Sequence, residues 1–234
     1  MAKSQGRISI PGRLRDAIFN GFNRAYIHVK VDPDEYLRRV QRAHGLPIQS
    51  FRDMFFVPQE TLDNLADQTI SASMKLAVLE GAGLGIGGFL TVVPDMGILS
   101  AIVVRLLQKL SLLYGFEYST DEELVTFWLA AASAAGMDLG REFIEKQAIE
   151  RLVPRIMERV AVKMGAEVAE RWSVRLIPLL SSAIGGGLNY YFVREWGRRA
   201  KQHFREKHRV LRAQMAFAGS QQLTAQIPHP EQNN

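Results

Sequence analysis

The sequence predicts an all-α fold, a multi-helix bundle with glycine-rich, close-packed central helices and a basic C-terminal helix. Apolar residues recur at helical spacing along most of the chain, and helix-start and helix-stop signals divide that pattern into segments. The one candidate strand, at Arg24–Val31, has no clear pairing partner nearby. With 234 residues, 47% of them apolar, the chain suits one main domain with a substantial core.

The chain divides into three parts by composition. Residues 1–31 form an N-terminal extension in which the alternation at 24–31 favours a short strand. Residues 32–212 form the helical domain. Residues 213–234 are assigned to a polar tail that we expect to be disordered, although the helical pattern itself fades only near Met215.

The first helix has clear local signals at both ends. Asp32 can cap it, Pro33 suits its first position, and Gly45 and Pro47 end it. Its apolar face is predicted to consist of Tyr36, Leu37 and Val40.

Two longer helices follow. The second begins near Pro58 and carries the stripe Leu62, Leu65, Thr69, Leu76 and Leu79. The third is expected to be capped by Asp95 and to end at Tyr114-Gly115. Its predicted buried stripe is Ile98, Leu99, Ile102, Leu106 and Leu110.

The second half of the chain is also helical in pattern. Thr120 and Glu123 have the spacing of a capping box, and Gly136 ends the helix that follows. Proline at 154 and 178 is expected to kink or divide the remainder, with a further break or a close-packing point at 185–187.

Glycine clusters in two uncharged stretches. Because glycine lets two backbones approach closely, we predict close helix packing at Gly83, Gly85, Gly87, Gly88, Gly185 and Gly186. The uncharged runs at 81–94, 124–137 and 176–193 are shorter than the roughly 20 apolar residues of a membrane span. Buried helices are therefore favoured, and insertion into a membrane is the alternative.

Composition and motifs exclude several kinds of chemistry. The chain has no cysteine, which excludes disulfides, thiolate catalysis and cysteine-based zinc sites, and no secretory signal is visible in Met1–Arg15. Residues 83–88 match G-x-G-x-x-G, but a helical stripe precedes them where a dinucleotide site needs a strand. The histidine spacing fits no known metal motif. We therefore predict no cofactor and no metal.

Three polar residues are the candidates for catalysis. Asp95 and Arg105 interrupt an otherwise apolar stretch, and Asn189 lies in the last uncharged run. A helix cap explains Asp95 and a snorkelling or paired side chain explains Arg105 more simply than catalysis does. Whether the chain is an enzyme stays open, with a non-enzymatic role favoured.

The basic character is concentrated near the C-terminal end of the predicted domain. The segment 194–212 contains eight basic and two acidic residues, a net +6 that exceeds the +5 of the whole chain. An apolar stripe, Phe192, Trp196, Ala200, Phe204 and His208, runs along the same helix. Such a helix suits either packing on the domain or contact with anionic lipid, and nucleic acid is less favoured. The residues predicted to contact lipid are Arg194, Trp196, Arg198, Arg199, Lys201, Arg205 and Lys207.

Residues 58–210 resemble the EcsC family. The matching residues are Gly83-x-Gly85-x-Gly87-Gly88-Phe89, Asp95, Arg105, Tyr114-Gly115-Phe116, Asp121-Glu122-Glu123, Ile177-Pro178, Ile184-Gly185-Gly186, Asn189-Tyr190, Ala200 and Phe204-Arg205. The family is named for a protein encoded beside an ABC transporter. The resemblance implies a helical, membrane-associated protein, and a hydrolase role has been suggested for the family.

These observations lead to one expectation and two alternatives. We expect a membrane-associated accessory protein at the cytoplasmic membrane face, with a transporter or lipid-handling partner. One alternative is a hydrolase acting on a lipid or peptide in a polar pocket near Asp95. The other is a soluble homo-oligomer, which predicts that the apolar stripe of the basic helix is fully buried.

Overall fold

The computed structural model describes residues 31–84, 92–118, 121–136, 155–160 and 181–225, with single residues at 20, 24, 162, 163 and 166. The regular elements in these ranges are helical, which confirms the predicted all-α class. They are α1 (Pro33–His44), a 3₁₀ helix (Phe51–Phe56), α2 (Gln59–Leu84), α3 (Val92–Leu113), α4 (Asp121–Ala134) and α5 (Ser181–Ala225). A short helical run at 155–160 lies between α4 and α5 in sequence.

Helix α1 has the ends that its sequence predicts. The Oδ1 atom of Asp32 accepts a hydrogen bond from the backbone N–H of Glu35 at 2.8 Å. Gly45 follows the helix with φ of 61°, a left-handed conformation that glycine adopts without strain. The buried residues are Tyr36, Leu37 and Val40, as predicted.

Helix α2 continues through Gly81 and Gly83 to Leu84. The first half of its predicted stripe is buried, since Leu62 is 0% exposed. The prediction is wrong further along, where Leu76 and Leu79 are 40% and 71% exposed. The buried positions there are Met74 and Ala77, because the neighbouring helices cover a different side of α2.

Helix α3 begins three residues before the predicted cap. Its first residue is Val92, so Asp95 lies inside the first turn and the prediction that it is the N-cap is wrong. Pro94 does not prevent this early start, because an N–H in the first turn has no intrahelical partner. The predicted end is confirmed: Gly115 has φ of 84°, and Phe116 N–H donates to the carbonyl of Ser111 at 2.9 Å.

Helix α5 is a single helix of 45 residues. The predicted break at 185–187 is therefore wrong. The helix also continues to Ala225, so residues 213–225 are helical, and the prediction that they belong to a disordered tail is wrong. Alanine, glutamine and methionine at 213–216 are strong helix formers, which explains why the helix extends although these residues are exposed.

The directions of the three long helices follow from their side-chain contacts. Asp67 pairs with Lys201 and Asp63 pairs with Arg205, so α2 and α5 run antiparallel. Gly197 of α5 marks a close approach: a Cβ atom there would lie 2.9 Å from Ile70 Cγ1 and 3.2 Å from a methyl group of Leu106 in α3. The core therefore forms where α5 crosses both α2 and α3.

Several predictions concern residues outside the described ranges. They are the strand at 25–30, Thr120 of the capping box, and close packing at Gly85, Gly87 and Gly88. Gly83, Gly185 and Gly186 lie in helices, but their surroundings are also outside the described part, so close packing there stays a prediction.

Candidate lipid-facing surface

One side of α5 is the apolar stripe predicted from the sequence, and it is buried in the domain. Its members are all at most 2% exposed: Phe192, Trp196, Ala200, Phe204 and His208. The predicted lipid contact Trp196 is instead a core residue, 5.4 Å from Phe192 between ring centroids. A buried stripe is what the homo-oligomer alternative predicted, but the partner of the stripe is the chain's own core.

Two predicted lipid contacts connect α5 to α4. Arg199 donates to the carbonyl of Ala134, the last residue of α4, at 3.1 Å. Lys207 donates from Nζ to Thr126 Oγ1 at 2.8 Å and lies 5.1 Å from the centre of the Phe116 ring. Burial lowers the pKa of Lys207. These two cations stabilise helix packing and are not free surface charges.

Two more are neutralised by carboxylates of α2. Lys201 Nζ lies 2.7 Å from Asp67 Oδ1, and Arg205 Nε lies 2.8 Å from Asp63 Oδ2. Asp63 also accepts from the Tyr114 hydroxyl at 2.8 Å. Burial and then the Asp63 carboxylate raise the pKa of Tyr114, so its hydroxyl keeps its proton and donates.

The remaining two cations are exposed, as Arg205 is, but neither forms an ion pair with a described residue of α2. The side chain of Arg198 is 64% exposed although it lies 3.2 Å from Glu195. Arg194 is exposed and forms no ion pair with any residue that the structure describes. Neither arginine faces a carboxylate of α2, because that helix carries Ser71 and Met74 at the corresponding level.

These cations line one wall of an open groove between α2 and α5, of about 720 Å³. Its charged lining consists of Arg194, Arg198, Lys201, Arg205, Asp63 and Asp67, a net charge of +2. Tyr190 and Met74 line the groove beyond Arg194. The groove is therefore cationic near the start of α5 and neutral farther along.

The three catalytic candidates are not brought together in the part of the structure that is described. Asn189 is 2% exposed, and its Oδ1 atom has no hydrogen-bond partner among the described residues. Arg105 is exposed on the surface of α3. Among the described residues, no cavity is lined by both Arg105 and Asn189. The side chain of Asp95 lies outside the described part.

Arg105 belongs to a separate cluster that the sequence analysis missed. It lines a cavity of about 220 Å³ together with Arg39 and Lys109. Burial, followed by the charges of Arg105 and Arg39, lowers the pKa of Lys109. The spacing of Arg105 and Lys109 places both on one face of α3, but Arg39 joins them only through tertiary packing.

Among the described residues, no group of histidines, aspartates and glutamates could hold a metal ion. In the same part of the chain, no helix is long and apolar enough to cross a bilayer.

The comparisons with known proteins agree with the resemblance. The chain is 28% identical over 151 residues to protein EcsC of Bacillus subtilis (strain 168), which is 61% of this chain and 61% of that protein. The chain thus matches less than two thirds of this relative's length. No solved structure matches.

The family match covers residues 3–209. It is wider than the predicted 58–210 and includes most of the N-terminal stretch that was assigned as an extension outside the shared region. Because the match covers most of the 234 residues, this chain belongs to the EcsC protein family.

Proposed function

We propose that this protein binds the anionic, cytoplasmic surface of a membrane through the exposed arginines at the start of the basic segment. The observation that carries the proposal is the state of Arg194 and Arg198. Both are exposed, and neither is neutralised by α2 in the way that Lys201 and Arg205 are. An anionic leaflet attracts such cations by about 1 kcal/mol each.

Fewer cations are available to lipid in the folded protein than the sequence alone predicts. Of the six basic residues predicted to contact lipid, two connect α5 to α4 and two pair with carboxylates of α2. The attraction therefore depends on a small site, which favours weak and salt-sensitive binding. Such binding suits an accessory protein that reaches a membrane-embedded partner, for which we propose a transporter or a lipid-handling protein.

Vesicle co-sedimentation tests the proposal. The protein would be mixed with phosphatidylcholine vesicles, with or without phosphatidylserine, in low and high salt. We expect it to sediment with the anionic vesicles in low salt only. Replacing Arg194 and Arg198 with glutamine should weaken partitioning by roughly 30-fold, since two contributions of about 1 kcal/mol are lost.

The matched control is the double variant Arg38→Gln and Arg42→Gln. These two arginines are exposed on α1, so the variant loses the same charge from another surface. We expect it to bind like the unmodified protein. Absence of binding to any vesicle would contradict the proposal. An equal loss of binding in both variants would contradict it too, because binding would then depend on the net charge of the protein and not on Arg194 and Arg198.

A further inference from the structure

Three helix ends point toward one end of the bundle. Ile70 of α2, Leu106 of α3 and Gly197 of α5 lie at one level, because a Cβ atom on Gly197 would be within 3.2 Å of both neighbours. Helix α3 runs parallel to α5, since His208 contacts the carbonyl of Tyr114 farther along both helices. The end of α2 and the starts of α3 and α5 therefore lie together, and we call this part the hairpin end (residues 76–84, 92–104 and 181–193).

The hairpin end is almost free of charge. Its three segments contain two charged residues, Glu80 and Asp95. It also exposes large apolar and aromatic side chains, which we call the apolar tip: Leu76, Leu79, Tyr190 and Tyr191, exposed by 40%, 71%, 41% and 46%. A group of exposed apolar residues on an uncharged surface indicates contact with an apolar partner.

Cations lie directly behind the apolar tip. A rise of about 1.5 Å per residue places Tyr190 about 10 Å and Leu79 about 13 Å beyond the level of Ile70 and Gly197. The same rise places Arg194 about 4 Å and Lys75 about 7 Å beyond that level, with Arg198 close to it. We call these exposed residues the cationic band: Lys75, Arg194 and Arg198.

This order along the bundle axis matches the order of layers in a leaflet. Leucine side chains suit the acyl region, tyrosine suits the boundary with the headgroups, and lysine and arginine suit the phosphates. We infer that the protein enters an anionic leaflet with its hairpin end first, the apolar tip at the acyl boundary and the cationic band at the phosphates. The inference rests on the proposed function and adds to it the orientation of the protein on the membrane and the depth to which it enters the leaflet.

The charges on the rest of α5 argue against the other orientation, in which the whole basic segment lies flat on the membrane. A flat contact along the groove would bring Asp63 and Asp67 against the lipid phosphates. Like charges oppose that contact. The end-on orientation keeps Asp63 and Asp67 away from the lipid, and the carboxylates that it brings there instead are Glu80 and Asp95, the two charged residues of the hairpin end.

The absence of cysteine in the chain allows single-site labelling. The variants Leu79→Cys and Tyr190→Cys would carry an environment-sensitive fluorophore on the apolar tip. The controls Phe56→Cys and Val210→Cys use side chains that are 75% and 44% exposed at the opposite end of the bundle. All four side chains are at least 41% exposed, so none of them is a buried core residue.

Each labelled protein would be added to vesicles of phosphatidylserine and phosphatidylcholine, with and without lipids that carry a nitroxide quencher on the acyl chain. We expect the labels at positions 79 and 190 to shift to shorter wavelength, gain intensity and be quenched. The labels at 56 and 210 should keep their emission. This pattern would support insertion of the hairpin end.

Other outcomes separate the inference from the proposed function. If all variants sediment with anionic vesicles but labels 79 and 190 do not shift, the end-on orientation is wrong and surface binding stands. A shift at 210 equal to that at 190 would overturn the inference in favour of the flat orientation. If no variant sediments, the proposed function fails, and the inference fails with it.

Discussion

At the scale of single residues, the two ring nitrogens of the buried His208 have different surroundings. Its Nδ1 atom lies 2.9 Å from the carbonyl of Tyr114 and must carry a proton, because a carbonyl oxygen can only accept. Its Nε2 atom has no hydrogen-bond partner in the part of the chain that the structure describes. The ring stacks on Phe55 with centroids 4.7 Å apart. A second proton would place a charge in an apolar site without an acceptor.

This arrangement predicts a pH-dependent stability. Burial lowers the pKa of His208 below its ordinary value of 6.5, the Tyr114 carbonyl partly offsets this, and Arg212 lowers it further. Below pH 6.5 the unfolded chain binds a proton that the folded chain resists, so stability is lost as the pH falls toward the folded pKa. Burial and then Lys207 lower the pKa of His203 in the same direction.

Urea unfolding at about pH 7.5 and about pH 5.5 measures this effect as a decrease in the free energy of unfolding at the lower pH. The variant His208→Phe keeps an aromatic ring beside Phe55 and should weaken the dependence. The control His44→Gln changes an exposed histidine and should retain it. A dependence that is unchanged in His208→Phe would show that other groups cause it.

At the scale of helices, Gly197 sets how closely α5 can approach its neighbours. A side chain there would collide with Ile70 of α2, whose Cγ1 and Cγ2 atoms would lie 2.9 and 3.1 Å away. Both are atoms of a branched core side chain with little freedom to move. Gly187, in the same helix, has open space on its side-chain side, since a Cβ atom there would meet nothing within 4 Å.

These two glycines give a matched pair of variants. Gly197→Ala should destabilise the protein by about 1–3 kcal/mol, because crowding in the core outweighs the better helix propensity of alanine. Gly187→Ala should stabilise it by up to about 1 kcal/mol. The midpoints of urea unfolding measure both. Equal effects at the two positions would contradict the close crossing at Gly197.

The ends of the helices could largely be predicted from sequence, because capping depends on neighbouring residues. Asp32, Gly45, Gly115 and Gly136 mark starts and stops where the structure has them. Local signals failed at the predicted cap Asp95 and at the predicted break at 185–187, and the other failure concerns a fact that is not local. The exposure of Leu79 depends on where α5 crosses α2, and no pattern within α2 contains that information.

At the scale of the whole molecule, α5 joins the other long helices into one core, since it packs against α2, α3 and α4. Among the side chains that the structure describes, its buried positions extend from Asn189 to His208, whereas residues 212–217 include no buried position. The helix therefore has a part held by the core and a part that projects from it.

Hydrogen exchange should separate these two parts. We expect the amides of residues 192–208 to exchange slowly together with those of the buried parts of α2 and α3, because they open only when the core unfolds. The amides of 213–225 should exchange much faster, since local helix propensity alone protects them. Equal protection of 213–225 would indicate that a second copy of the chain covers this segment.

The candidate site was predicted in part. The buried stripe and the exposed Arg194 and Arg198 agree with what the helical period predicts. The period could not show that Arg199 and Lys207 bind α4, because those partners lie 65 and 81 residues away in sequence. The helical period shows which residues share one face of α5. Which of them are paired or buried depends on the helix that packs against that face.

The late position of α5 in the sequence has a consequence for synthesis of the protein. Its contacts with earlier parts of the chain join residues 94, 134 and 155 positions apart. During translation, α2, α3 and α4 emerge first, and the apolar faces that α5 covers stay uncovered until residues near His208 leave the ribosome. A nascent chain in this state exposes an apolar surface and is therefore prone to aggregation or to binding by a chaperone. Closure by α5 is thus a slow, long-range step in an otherwise local helical fold.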